Sequence, residues 1–126
     1  MWSYRCYDDG KVPNLWQRWY DAHPEVQGSH DAVFHFLEQR DQWREPFSKV
    51  FDKNLKIIEV RLNGKVKYRI LGFYGSAQHE FIVVATCSHK QSVYDPPDVK
   101  MTAGKRKKEI EANPGKAQLC VRPQST

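Results

Sequence analysis

From Asn14 to about Trp43 the apolar residues of this chain recur at helical intervals, and from Leu55 to Leu71 they alternate one for one with polar residues. Ahead of both, Trp2 to Tyr7 reads as a first strand, stopped by Asp8-Asp9-Gly10 and Pro13. Asn14 is a good N-cap for a helix from Leu15 to about Ala22, with Leu15, Trp16, Trp19 and Tyr20 on one stripe. A second helix starts either with Pro24 at its first position or with Ser29 as its cap, reaches about Trp43, and turns Val33, Phe34, Phe36 and Leu37 inward. His30 and His35 lie five apart, off the spacing of a helical metal pair, and read as surface histidines.

Pro46 closes the helical half. In Leu55 to Leu62 the residues Ile58, Val60 and Leu62 share one strand face, and Glu59 and Arg61 share the other. Asn63-Gly64 is a strong hairpin signal, and Lys65 to Leu71 returns with Val66, Tyr68 and Ile70 alternating with Lys65, Lys67 and Arg69. The pattern predicts a hairpin over Leu55 to Tyr74 that shows a row of cations opposite its apolar side. Glu80 to Cys87 is apolar at nearly every position, which predicts a central strand buried on both faces, with helices covering one side. A last, basic helix is expected from Asp98 to Glu111, with Gly104 as its weak point. After Asn113-Pro114-Gly115 the chain reads as a flexible tail. The expected class is α+β: an N-terminal strand and two helices, a three-stranded antiparallel meander, then a C-terminal helix. One domain over 1–112 and a tail over 113–126 follow.

Composition narrows the function classes. A chain of 126 residues with 40% hydrophobic and 13% aromatic side chains has material for one packed core and is not disordered. The net charge of +5 is unevenly spread: 5 basic against 8 acidic residues over 1–48, 8 against 3 over 49–90, and 7 against 4 over 91–126. A basic side built from the middle and the end of the chain steers toward a polyanion. Cys6, Cys87 and Cys120 are odd in number and lack C-x-x-C spacing, so neither a disulfide framework nor a zinc site is expected; Cys6 and Cys87 read as small buried apolar groups. With no apolar leader and no run long enough to span a bilayer, the expected setting is a reducing cytoplasm with no membrane contact.

Arginines on a rigid strand pair suit phosphate oxygens, because the planar guanidinium fork binds two at once. Arg61 and Arg69 are the candidates, with Lys65 and Lys67 beside them. Glu59 reads as a salt-bridge partner of Arg61, Lys67 or Arg69 rather than as a general base. The run Lys105-Arg106-Lys107-Lys108 is open between an RNA contact, a seat for an acidic protein segment and a solvated helix face. Trp16 and Trp19 read as core rather than as a platform for bases. An apolar remainder around Trp16, Trp19 and Trp43 is a candidate seat for a partner helix or a second copy.

Between Pro46 and Ile110 the sequence resembles the RelE/ParE superfamily of toxins from type II toxin-antitoxin pairs, most of all its HigB-like and phage-derived members. Four stations carry the resemblance: Glu59-Val60-Arg61 where the family has an E-L-R-like strand; Tyr68-Arg69 where it has Y-R; Phe81 to Ala85 leading to His89-Lys90 where it has a lysine pair; and Pro96, Ala103, Arg106 and Glu109-Ile110 where it has T-P and a helix with A, R and E. The resemblance implies a RelE-like fold and an mRNA endoribonuclease, commonly ribosome-dependent, held inactive by a cognate antitoxin and needing no cofactor or metal. Its chemistry would be attack of an RNA 2′-hydroxyl on the adjacent phosphate. Arg61 and Arg69 would hold that phosphate, Lys90 would add charge, and His89 or Tyr94 would move the proton, a tyrosine donating where cations lower its pKa. Lys65, Lys67 and Lys105 to Lys108 would bind RNA. Gln91 departs from the family by replacing the second lysine, and the segment from Lys116 to Thr126 runs past the usual end. Other members of the fold inhibit DNA gyrase without nuclease activity, and a basic nucleic-acid-binding module without toxicity is the third class.

Overall fold

In the hairpin, apolar residues decide the register. The computed structural model describes residues 1–125 and pairs Val60 with Ile70, Leu62 with Tyr68 and Asn63 with Lys67, so the turn is Gly64-Lys65-Val66. A two-residue turn at Asn63-Gly64 would instead set Val60 opposite Lys67. The longer turn keeps the apolar residues of both strands on one buried face. The strands are β3 (Ile57–Asn63) and β4 (Lys67–Tyr74).

The other elements, in chain order, are β1 (Ser3–Tyr7), α1 (Leu15–Ala22), α2 (Gln27–Glu38) and β2 (Ser48–Asp52) before the hairpin, and β5 (Glu80–Lys90), β6 (Val93–Asp95), α3 (Val99–Ala112) and β7 (Ala117–Cys120) after it. They form a single sheet in the order β2-β3-β4-β5-β1-β7, with β6 paired to the far end of β5. Only the β1–β5 pairing is parallel, so the chain is α+β with a mostly antiparallel sheet. The expected order of elements is not the one found: β2 precedes the meander, β6 extends it and β7 follows α3.

The local signals for α1 hold. The Asn14 side chain accepts from the Gln17 amide at 2.9 Å, and Leu15, Trp16, Trp19 and Tyr20 are buried. α2 stops at Glu38 rather than at Trp43, and a 3-10 turn over Pro24–Val26 precedes it. As expected, β5 is central. The helices, however, cover both sides of the sheet: α1 and α2 pack with Val60, Leu62, Ile70 and Val83 on one face, and α3 packs with Ile57, Leu71, Phe73 and Val84 on the other. A bulge inserts Val84 between the Gly72–Val83 and Leu71–Ala85 pairs. The Val84 carbonyl, freed from the ladder, accepts from Arg106 Nη1 at 2.8 Å.

Several expectations are corrected. The segment after Asn113 is not a loose tail: β7 pairs antiparallel with β1, Arg122 Nε lies 3.1 Å from Glu38 Oε2, and the Ser125 amide donates to Asp31 Oδ2 at 3.0 Å. A disulfide joins Cys6 to Cys120 across β1 and β7, where no bridge was expected; residues 114 apart in sequence become neighbours only once the sheet forms. His30 is fully buried, not on the surface, because it falls on the same α2 stripe as Val33, Phe34 and Leu37. Trp16 Nε1 donates to His30 Nε2 at 3.1 Å, and His30 Nδ1 sits 3.1 Å from Asp31 Oδ1. Burial pushes the imidazole pKa down to about 4, against a weaker upward pull from Asp31. Trp16, Trp19 and Trp43 are all buried in the core. Among the described residues no helix is long and apolar enough to cross a membrane.

Candidate functional site

Because side chains alternate along each strand, the cross-strand pairs define rows on the α3 side of the sheet. One row is Arg61, Arg69 and Cys87; the next is Asn63, Lys67, His89 and Tyr94. Glu59, two residues before Arg61, lies beside the first row. Six of the chemically capable residues of the β3-β4-β5-β6 region therefore share one patch: Glu59, Arg61, Lys67, Arg69, His89 and Tyr94.

The Glu59 carboxylate ties the arginines together. Its Oε2 accepts from Arg61 Nε at 2.9 Å and lies 2.8 Å from Arg69 Nε, an ion pair whose N–H is not aimed well enough to be a hydrogen bond. Arg69 Nη1 donates to Asn63 Oδ1 at 3.1 Å and to its neighbour's carbonyl, Tyr68 O, at 2.9 Å. Glu59 and Arg69 are each only 4% exposed, so this is a buried ion pair that fixes the centre of the patch. Arg61 is different: a quarter of its side chain is exposed, and Glu45 Oε1 lies 4.0 Å from its Nη1. Of the two arginines, Arg61 faces solvent.

His89 and Tyr94 stack, with ring centroids 4.3 Å apart, and Phe51 makes an edge-type contact with Tyr94 at 5.2 Å. Burial and the nearby Glu59 and Cys87 raise the Tyr94 pKa, and Arg69 and Arg61 oppose this only in part. The expectation that cations would lower it is thus reversed, and Tyr94 stays a phenol able to donate a proton. Burial pushes the Cys87 thiol up to about 12, which excludes a thiolate nucleophile at this position.

The remaining sequence candidates scatter. Lys90 follows His89 by one residue and so alternates to the opposite face, next to the tight turn in which Gln91 and Ser92 take positive φ. Lys65 is exposed in the hairpin turn, and Lys67 is exposed at the edge of the patch. In the α3 run, Arg106 is committed to the Val84 carbonyl and lies over the Tyr7 ring, while Lys107 donates to Leu55 O at 2.7 Å. Only Lys105 and Lys108 of that run point freely to water. Sequence reading missed Asn63, Glu45 and Cys87 as members of the patch, and the alignment of Lys67 rather than Lys90 with His89, which the β4–β5 pairing and its bulge decide. Among the described residues no three His, Cys, Asp or Glu side chains converge as a ligand group for a metal.

The patch thus combines a solvent-facing guanidinium, an ammonium, an imidazole and a phenol on a rigid sheet, an arrangement able to bind a phosphodiester and transfer a proton at it. Comparison with protein-family models, with curated proteins and with solved structures found no match to this chain.

Proposed function

We propose that this protein is the toxin of a type II toxin-antitoxin pair that cleaves mRNA, with its reaction centre on the α3 side of the sheet. The observation that carries the reading is the adjacency of the Arg61–Arg69–Cys87 and Asn63–Lys67–His89–Tyr94 rows, which sets two phosphate-binding cations beside two proton-carrying rings. The motif resemblance at Glu59-Val60-Arg61 and Tyr68-Arg69 supports it independently. In this reading β1, α1, α2, β3 to β5 and α3 are a RelE-like core to which β2, β6 and β7 are additions. Arg61 and Lys67 hold the scissile phosphate and stabilise the charge that builds on its oxygens. Arg69 positions Arg61 through the shared Glu59 carboxylate. His89 takes the proton of the attacking 2′-hydroxyl, and Tyr94 donates to the departing 5′-oxygen. Lys90 has no part in the step. Lys65 supports the RNA backbone next to the patch; Lys105 and Lys108 extend the basic surface. The substrate is mRNA on the ribosome, and a cognate antitoxin covers the patch.

The test is induction of the chain in bacteria with mapping of mRNA 5′ ends, comparing wild type with Arg61→Ala. Wild type should arrest growth and generate new 5′ ends, and the variant should lose on the order of 100-fold in cleavage, the usual cost of removing one transition-state donor. Because Glu59 keeps Arg69 as a partner, Arg61→Ala should fold normally. Equal cleavage by both proteins would overturn the assignment. The burial of Arg69 and Glu59 favours one second reading, in which the patch is a rigid docking surface of a non-enzymatic toxin against a protein target such as gyrase. Growth arrest with no RNA cut and with inhibited DNA supercoiling would select it.

A further inference from the structure

The solvent side of α3 carries an open groove of about 850 Å³, which shares no residue with the patch around Arg61. Its floor is apolar: Leu55, from the turn between β2 and β3, with Pro97, Met101, Gly104 and Ala112. Met101 is 75% exposed, a long flexible apolar side chain presented to water rather than to the core. Met101, Lys105, Lys108 and Ala112 fall at i, i+4, i+7 and i+11, a single stripe along the 14 residues of α3, or about 21 Å of helix. Gly104 keeps the middle of that stripe low. Glycine is costly in a helix interior, and here a Cβ would lie 3.1 Å from Leu55 Cδ1, so its absence lets Leu55 rest against the helix backbone and close the floor.

Charge along the rim is unbalanced. Lys105 and Lys108 are exposed, and among the described residues neither meets a carboxylate. The other charged groups on the groove are mostly committed: Lys100 Nζ lies 2.8 Å from Asp52 Oδ2, and the Glu109 carboxylate accepts from the Tyr7 hydroxyl at 2.6 Å. Asp98, at the start of α3, is the one carboxylate lining the groove that lacks a side-chain bond among the described residues. The C-terminal half of the groove is therefore positive beside an apolar floor.

These features sort the possible occupants. RNA would use the lysines and leave the apolar floor in water, and among the described residues no aromatic side chain lines the groove for a base to stack on. A second copy seated two-fold on the same surface would set Lys105 and Lys108 against another basic face. A helix with an apolar stripe flanked by carboxylates fills the floor and neutralises the rim together. We propose that this groove is the docking site of an acidic amphipathic helix from a partner protein. Its apolar stripe lies on Leu55 and Met101, and its carboxylates meet Lys105 and Lys108. Asp98 fixes the orientation, because the acidic end of the occupant belongs over the two lysines and an uncharged or basic end belongs near Asp98. The docking site stands whether or not the chain cleaves RNA.

The experiment is a fluorescence-anisotropy titration of the full chain into a labelled, hydrocarbon-stapled peptide of about four helical turns, with leucines on one stripe and glutamates flanking them over one half. The comparisons are the same composition in scrambled order, the same peptide with lysine in place of glutamate, and a uridine oligonucleotide. The acidic amphipathic peptide should saturate, and the scrambled and lysine peptides should bind on the order of 10-fold more weakly. Met101→Asp should weaken the acidic peptide on the order of 10-fold through the floor. Lys105→Glu/Lys108→Glu should weaken it too and should prefer the lysine peptide instead, an exchange of preference that a damaged fold would not produce. No saturable binding, equal binding of the scrambled peptide, or indifference to either variant would each overturn the site. Oligonucleotide that displaces the peptide and loses its own binding in the double variant would assign the groove to RNA, and a dimer in sedimentation that Met101→Asp dissolves would assign it to a second copy; both results would overturn the proposal.

Discussion

Replacing Arg69 with alanine should destabilise the fold before it says anything about chemistry. The substitution leaves the Glu59 carboxylate, 4% exposed, facing the cavity left by the guanidinium, with only the half-open Arg61 to balance it. It also strips Asn63 Oδ1 and the Tyr68 carbonyl of a donor. Breaking a buried pair by removing one partner costs about 3–5 kcal/mol. With an unfolding entropy near 2.1 cal/mol/K per residue, the 126 residues of the chain convert that into a fall in Tm of roughly 11–19 °C. Urea and thermal denaturation followed by circular dichroism read both quantities. The double variant Glu59→Gln/Arg69→Met removes both charges at similar volume and should regain most of the loss, because the penalty lies in the stranded carboxylate rather than in the worth of the pair. Arg61→Ala, at a partly solvated site, should cost under about 1 kcal/mol. An Arg69→Ala protein within about 1 kcal/mol of wild type would refute the argument that this pair is a structural element of the patch.

Three other outcomes follow from the geometry. Between pH 6.5 and about 4 the unfolded chain protonates His30 while the folded chain holds it neutral, so stability is full above pH 6.5 and falls by about 3 kcal/mol as the pH drops through this window. Denaturation midpoints against pH should show this slope, and His30→Gln should flatten it. Cys120→Ser, or reductant on wild type, should lower stability by up to about 4–5 kcal/mol, because the bond closes a loop between residues 114 apart; unchanged melting with and without reductant would show that the bond adds nothing. Gly72→Ala places a Cβ 2.4 Å from the Ile82 carbonyl oxygen and 2.6 Å from the Phe81 ring, and should cost on the order of 1–3 kcal/mol in chemical denaturation.

Local signals and tertiary decisions divide cleanly in this molecule. The Asn14 cap, the α1 stripe, the alternation of β3 and β4 and the continuous apolar run of β5 are short-range patterns, and each is where the residues placed it, because spacing over a few positions is enough to choose a helix or a strand. So too the pairing of Glu59 with Arg61 follows from alternation along β3, whereas that with Arg69 needed the register. What depends on which distant segments meet was not legible. Ala117 to Cys120 carries too little periodicity to announce a strand, and it becomes one because β1 offers an open edge whose amides and carbonyls need partners. The Trp16 indole reaches His30 as a donor only once α1 closes over α2, and the Cys6–Cys120 bond forms by the same edge pairing that made β7. The two rows of the patch needed the turn length, since one residue of register moves a side chain through the sheet. Sequence alone determined the period of the longer helices and strands, which is a property of neighbours along the chain; the tertiary structure decided the edges and the cross-strand register, because those are settled by competition among distant groups for the same hydrogen bonds and the same volume.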